Sequence, residues 1–230
     1  MSHDRTVIVA DCDHANIEAE RQALADVCQD VRWLHCRTED EVIVQCAEAE
    51  ALLVQYAPLT RRVLAHLRQC RVIVRYGVGV DTVDLKAAAE RGIVVSNVPD
   101  YGTQEVADHA LALMLCLTRK IALANAQVKR GVWDFRETRP VFRLQGKTLG
   151  IIGGGRIGRA MARRCQALGM RILVHDPYAV PEGLPDFMVP ADLETLLQTS
   201  DVVSLHCPLT TDALHSTAHL LDEARLRHMK

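Results

Sequence analysis

"KTLGIIGGGRIGRAMARRCQALG", residues 147–169, is the stretch that decides the fold. Residues 148–152 are a short apolar run, as in a strand buried on both faces. A glycine turn follows, and 156–168 then reads as a helix. Gly153, Gly155 and Gly158 match G-x-G-x-x-G. The first glycine permits the tight turn, the second lets backbone N–H groups approach a pyrophosphate, and the third lets helix and strand pack closely. The diphosphate then lies at the positive end of the helix that starts near Arg156. A second strand ends in an acid: "RILVHDPY" places Asp176 18 residues after Gly158. That carboxylate can accept hydrogen bonds from the adenosine ribose and repels a 2′-phosphate. Pro177, not an arginine, follows it, so NAD(H) is favoured over NADP(H).

Working outward, the rhythm continues with a strand at 187–189, a helix at 191–198 and a strand at 202–206. The prolines at 177, 181 and 185 mark a loop before them. The first half repeats the alternation. Strands are expected at 6–13, 31–36, 51–56, 71–77 and 92–99, and helices at 17–28, 38–49, 60–70 and 84–92. Thr38 and Thr60 are N-caps in this reading. Alternation of this kind predicts an α/β protein with two doubly wound parallel-sheet lobes. Residues 1–101 form the first lobe, and 102–131 a linker helix capped by Thr103, apolar and buried in its middle. Residues 132–230 form the nucleotide-binding Rossmann lobe, with 133–147 irregular.

Composition excludes several classes of function. Hydrophobic residues make up 49% and charged residues 24%, with net charge −2, so no basic field draws nucleic acid. The longest apolar run, "HALALMLCLT", is well short of the ~20 residues a bilayer needs. Eight scattered cysteines without a C-x-x-C pair read as reduced core residues of a cytoplasmic protein, not as a metal site or a disulfide framework. No metal is expected.

Other candidates carry less. His109 reads as a core histidine of the linker helix. His175 and His206 end adjacent strands, and His206 reads as a cofactor-pocket residue. Asp11, Asp13 and His14 read as a solvated turn. Trp33 and Trp133 read as packing residues.

Several motifs in order resemble one family. They are "RYGVGVDTVDLKAAAERGIVVSNVP" (75–99), "TQEVADHALALML" (103–115), "GKTLGIIGGGRIGRAMA" (146–162), "VHDPY" (174–178) and "SDVVSLHCPLT" (200–210). Together they are similar to the D-isomer-specific 2-hydroxyacid dehydrogenases, over roughly residues 70 to 210. The wording "NVPDYGTQEVADHALALML" is similar to the branch that holds the C-terminal-binding proteins, NAD(H)-dependent corepressors. The resemblance implies a flavodoxin-like substrate lobe, a Rossmann NAD-binding lobe inserted into it, a homodimer and a 2-keto acid/2-hydroxy acid substrate. It places backbone groups of Val78 and Gly79 at the substrate carboxylate, and Thr103 against the cofactor. Gly153, Gly155, Arg156, Ile157, Gly158 and Asp176 hold pyrophosphate and ribose, and Cys207 and Pro208 line the adenine side next to His206.

The family's catalytic Arg, Glu and His are expected beyond Lys230. The Arg belongs to an "N-T-x-R-G" stretch after an "M-K-x-G-A" turn, and "RHMK" reaches only the start of that turn. The second lobe is therefore expected to be incomplete and the chain inactive by itself. Two further departures stand out. "TDALHSTA" (211–218) is longer than the family's usual run at that point, and Gly154 occupies an x position of the glycine motif.

Overall fold

The computed structural model describes residues 5–179, 183–211 and 214–230. Two compact units, Met1–Tyr101 and Gly102–Lys230, divide the chain. Part of the proline loop at 177–185 and part of the 211–218 run fall outside the described residues.

In the first unit the elements alternate: β1 (Val7–Val9), α1 (Glu18–Leu24), β2 (Val31–Trp33), α2 (Glu39–Cys46), β3 (Ala51–Val54), α3 (Arg61–His66), β4 (Val72–Arg75), α4 (Leu85–Glu90) and β5 (Val94–Asn97). Every pairing is parallel, in the order β2-β1-β3-β4-β5, which is the flavodoxin order. A parallel sheet needs cover on both faces, and the alternation of side chains along each strand supplies two cores. Ile8, Leu52 and Ile73 pack with Val42, Val63 and Leu64 on one face. Val7, Val9 and Val31 pack with Ile17 and Cys28 on the other. Thr38 and Glu41 form a reciprocal capping box at α2, and the Thr60 hydroxyl accepts from Val63 N at α3.

Asp11 departs from the solvated turn expected of it. It is buried, and its two carboxylate oxygens accept backbone N–H bonds from Gln55 (2.9 Å) and Tyr56 (2.7 Å). The acid therefore stitches the end of β1 to the end of β3.

The second unit begins with α5 (Thr103–Thr118) and α6 (Ile121–Lys129), followed by a 3-10 turn at Phe135–Thr138. Then come β6 (Thr148–Ile152), α7 (Arg156–Ala167), β7 (Arg171–His175), β8 (Met188–Pro190), α8 (Leu193–Thr199), β9 (Val202–Leu205) and α9 (Glu223–His228). Its sheet is parallel in the order β8-β7-β6-β9. Counted within the unit this is 3-2-1-4, the first four positions of the Rossmann order. All five residues of β6 are buried. α5 is held to α7 by Arg164, which reaches the Asp108 carboxylate at 2.5 Å and the Gln104 side-chain carbonyl at 3.0 Å.

Four expectations for this unit need correction. The helix expected over 102–131 is two helices. Lys120 stands between them in the left-handed region (φ 57°), and the Thr118 hydroxyl turns back onto the Met114 carbonyl at 2.7 Å, a bond that bends helices. Gly102, not Thr103, is the N-cap of α5. Only Ala107 and Met114 of α5 are buried, while Leu113, Leu117 and His109 are exposed. Trp133 does not pack: it is 89% exposed.

Candidate functional site: a dinucleotide cradle at the ends of β6, β7 and β9

A parallel sheet binds ligands outside the carboxyl ends of its strands, where the strand order reverses. In the second unit that point lies between β6 and β9. A cavity of about 380 Å³ opens there, lined by Ile152, Gly153 and Gly155 at the end of β6, His175–Tyr178 at the end of β7 and His206–Pro208 after β9.

The glycine loop has the shape that its sequence requires. Gly153 has φ +98°, and a Cβ there would come within 2.6 Å of Cys207 N. A Cβ on Gly158 would stand 2.0 Å from the Gly153 carbonyl oxygen. Both positions exclude any side chain, because backbone occupies the space. Gly155 is the reverse: nothing lies within 4 Å of where its Cβ would be, so the backbone is open to a ligand. It is also the N-cap of α7, and no side chain caps that helix. The first N–H groups of α7 are thus left for an outside acceptor. Arg159 Nε donates to the Gly154 carbonyl (2.7 Å) and fixes the loop.

Asp176 closes one side. Its Oδ2 accepts from Gly154 N at 2.8 Å and its Oδ1 from Tyr178 N at 2.9 Å. Each oxygen keeps a further lone pair, which suits vicinal ribose hydroxyls. Gly154, odd in sequence, has a use here: without a side chain it lies close against β7 and the Asp176 carboxylate. A Cβ on it would press on Val174 Cγ2 (3.2 Å) and Leu184 Cδ2 (3.3 Å).

His206 is half-buried, and burial pulls its pKa below the ordinary histidine value. Its Nε2 lies 2.9 Å from the Ser204 hydroxyl. Burial pushes the Cys207 thiol up, and the nearby Asp176 carboxylate adds to that. The Cys207 thiol therefore stays protonated at neutral pH and is not poised as a nucleophile, while the His206 imidazole is neutral. His175 and His206 do not end adjacent strands: β6 runs between β7 and β9, and each histidine reaches the cavity from its own side.

The cavity thus brings together Gly153, Gly155, Asp176, His206, Cys207 and Pro208. Arg156, Ile157 and Gly158 form the first turn of α7 beneath it. Thr103, in the first turn of α5, does not line it. Val78 and Gly79 lie in the first unit, on the loop after β4, where the Asn97 amide holds the Val78 carbonyl at 2.7 Å. Sequence reasoning missed Tyr178, His215 and Thr217, which also line the cavity; nothing in their spacing announces them.

Residues 111–230 match the model of the D-isomer specific 2-hydroxyacid dehydrogenase, NAD binding domain. The chain belongs to that family. Its dinucleotide cradle is accordingly an NAD-binding domain, and the residues present fit the cofactor. The chain is 38% identical over 197 residues to the D-3-phosphoglycerate dehydrogenase of Methanocaldococcus jannaschii, covering 84% of this chain and 36% of that enzyme. It is 37% identical over 193 residues to the hydroxypyruvate reductase of Thermotoga maritima, covering 84% and 61%. Among solved structures, a glyoxylate reductase from Paecilomyes thermophila superposes with a TM-score of 0.88 at 28% identity, over 99% of this chain and 71% of that one. The D-lactate dehydrogenase of Aquifex aeolicus, complexed with NAD and lactic acid, gives 0.87 at 29%, over 98% and 66%. The 230 residues therefore span about a third of the phosphoglycerate dehydrogenase and about two thirds of the two enzymes of known structure.

Proposed function

We propose that these residues are the cofactor-binding and substrate-carboxylate-binding part of an NAD-dependent oxidoreductase that interconverts a 2-keto acid and a D-2-hydroxy acid. The observation that carries the reading is the convergence of three strand-end loops on one cavity, with the Asp176 carboxylate tied to the glycine loop. Gly153, Gly155, Arg156, Ile157 and Gly158 hold the pyrophosphate through backbone N–H groups. Asp176 takes the adenosine ribose hydroxyls and excludes a 2′-phosphate, while His206, Cys207 and Pro208 form the adenine side. Thr103 contacts the cofactor from α5. Residues 1–101 supply the substrate lobe, where the N–H groups of Val78 and Gly79 meet the substrate carboxylate. The nicotinamide supplies the hydride.

The catalytic Arg, His and Glu of the family have no counterpart at their motifs within residues 1–230, so we assign none of the three here. Calorimetric titration should give NADH binding and at least tenfold weaker NADPH binding. Equal affinity for the two, or none for either, would overturn the cofactor assignment. NADH oxidation with glyoxylate, pyruvate and hydroxypyruvate by the whole protein reads the reaction class; no turnover with any 2-keto acid would overturn it.

A second reading, closer to the C-terminal-binding-protein branch, makes NAD(H) a signal for assembly into a homodimer in the cytoplasm. The apolar side chains left exposed on α5, α6, the 3-10 turn and the stretch before that turn, from Leu113 and Leu117 to Val128, Trp133 and Phe135, favour it. Light scattering during NADH titration separates the readings: a mass that does not respond to NADH rules out the sensor.

A further inference from the structure

Gly154 lies between two pinned peptide planes. Its N–H belongs to the plane shared with Gly153 and donates to Asp176 Oδ2 at 2.8 Å. Its carbonyl belongs to the plane shared with Gly155 and accepts from Arg159 Nε at 2.7 Å. One plane is thus tied to the end of β7 and the other to α7. The N–H groups of Gly153 and Gly154 are both spent inside the protein, on the His175 carbonyl and on Asp176. Among the described residues none accepts from the N–H of Gly155, and Gly155 lines the cavity.

A trans peptide is planar, and its carbonyl and N–H point in opposite directions. The Gly154–Gly155 bond is trans, since the cis bond among the described residues is Arg139–Pro140. By drawing the Gly154 carbonyl toward α7, Arg159 turns the Gly155 N–H the opposite way. With glycine on both sides this plane flips easily, because neither residue has a Cβ to resist the new φ and ψ. A flipped plane puts a carbonyl oxygen where the N–H had been, and its partial negative charge opposes an anion.

We propose that Arg159 is a positioning residue for the pyrophosphate: it locks the Gly154–Gly155 plane so that the Gly155 N–H faces the cavity. The inference rests on the dinucleotide reading above and deepens it. Arg159 does not itself line the cavity, so it acts through Gly155 and not through its own charge.

Two substitutions of matched reach test it in the whole protein. Arg159→Gln puts an amide nitrogen at the place along the side chain that Nε occupies, and Arg159→Met puts a methyl group there. Kd is measured for NADH by calorimetry, and for ADP-ribose and adenosine by displacement of NADH. Arg159→Met should weaken NADH and ADP-ribose by about tenfold, the worth of one hydrogen bond to a charged group. Adenosine, which has no phosphate, should bind Arg159→Met as it binds the parent. Arg159→Gln should keep the parent affinity for all three. Unchanged NADH affinity in Arg159→Met overturns the proposal, and so does a Gln variant as weak as the Met variant. A loss that adenosine shares overturns it too, since the whole loop has then collapsed. If the unaltered protein binds no NADH, the dinucleotide reading fails, and the positioning role with it.

Discussion

The Asp176 carboxylate accepts the backbone N–H of Gly154 at 2.8 Å, so the acid at the end of β7 is built into the glycine loop at the end of β6. In the function proposed above, one group thereby serves two ends: it shapes the loop that would face the pyrophosphate and would present charge to the ribose. Asp176→Ala should weaken NADH by about tenfold or more, since charge-assisted hydrogen bonds are lost. The NADH/NADPH preference should collapse, because the repulsion of a 2′-phosphate goes with the carboxylate. Paired titrations with the two cofactors check both effects; a preserved preference would refute the role.

Gly158→Ala should be more damaging than its single methyl suggests. The new Cβ would meet the Gly153 carbonyl, a backbone atom that cannot swing aside. We expect a loss of about 3 kcal/mol in stability together with loss of NADH binding, read by urea unfolding and titration. Gly155→Ala, where the space is open, should unfold like the parent chain yet bind NADH more weakly.

Asp201 supplies a pH-dependent contribution. Burial alone would raise its pKa. Hydrogen bonds from Lys230 Nζ, Thr148 N and Lys147 Nζ override that and hold it down at about 2. A carboxyl group depressed in the folded state stabilises above its unfolded pKa, near 4, and loses that contribution as pH falls toward 2. Asp201→Asn should therefore lower the melting temperature at pH 7, and the gap to the parent should narrow between pH 4 and pH 2. A gap independent of pH would mean that the charge is irrelevant there.

Trp133→Ser should leave the unfolding free energy within about 0.5 kcal/mol, as expected for an exposed side chain outside any core. If the exposed apolar residues of α5 and α6 join two copies, the same change should shift sedimentation toward the monomer.

The second unit was legible wherever glycine, proline or charge punctuates an apolar run. β6 and β7 begin and end where the sequence places them, because Gly153 stops one and Asp176 the other. The parallel Rossmann sheet and the glycine loop with Asp176 followed from that punctuation, whereas Cys207 and Pro208 came only from the family resemblance. The break at Lys120 did not, since a lysine with φ 57° carries no signal of its own. Asp11 was misread because its partners, Gln55 N and Tyr56 N, are more than forty residues away along the chain. The apolar middle of α5 suggested burial, yet composition says only that a surface wants a partner, not that it has one. α9 was missed although Asp222 caps it, accepting from Arg225 N at 2.9 Å, because six residues are too few to show a period.

Among the described residues β9 has a strand partner on one side only, β6. Hydrogen exchange should show the result directly. Amides of β6, flanked by β7 and β9, should exchange only on global opening of the unit. Outward-facing amides of β9 should exchange through local fluctuation, orders of magnitude faster. His206, Cys207 and Pro208 hang from the end of that strand, so one wall of the cofactor cradle inherits the looseness of a sheet edge. NADH, by bridging that wall to the glycine loop, should slow exchange in β9 more than in any other strand of the unit.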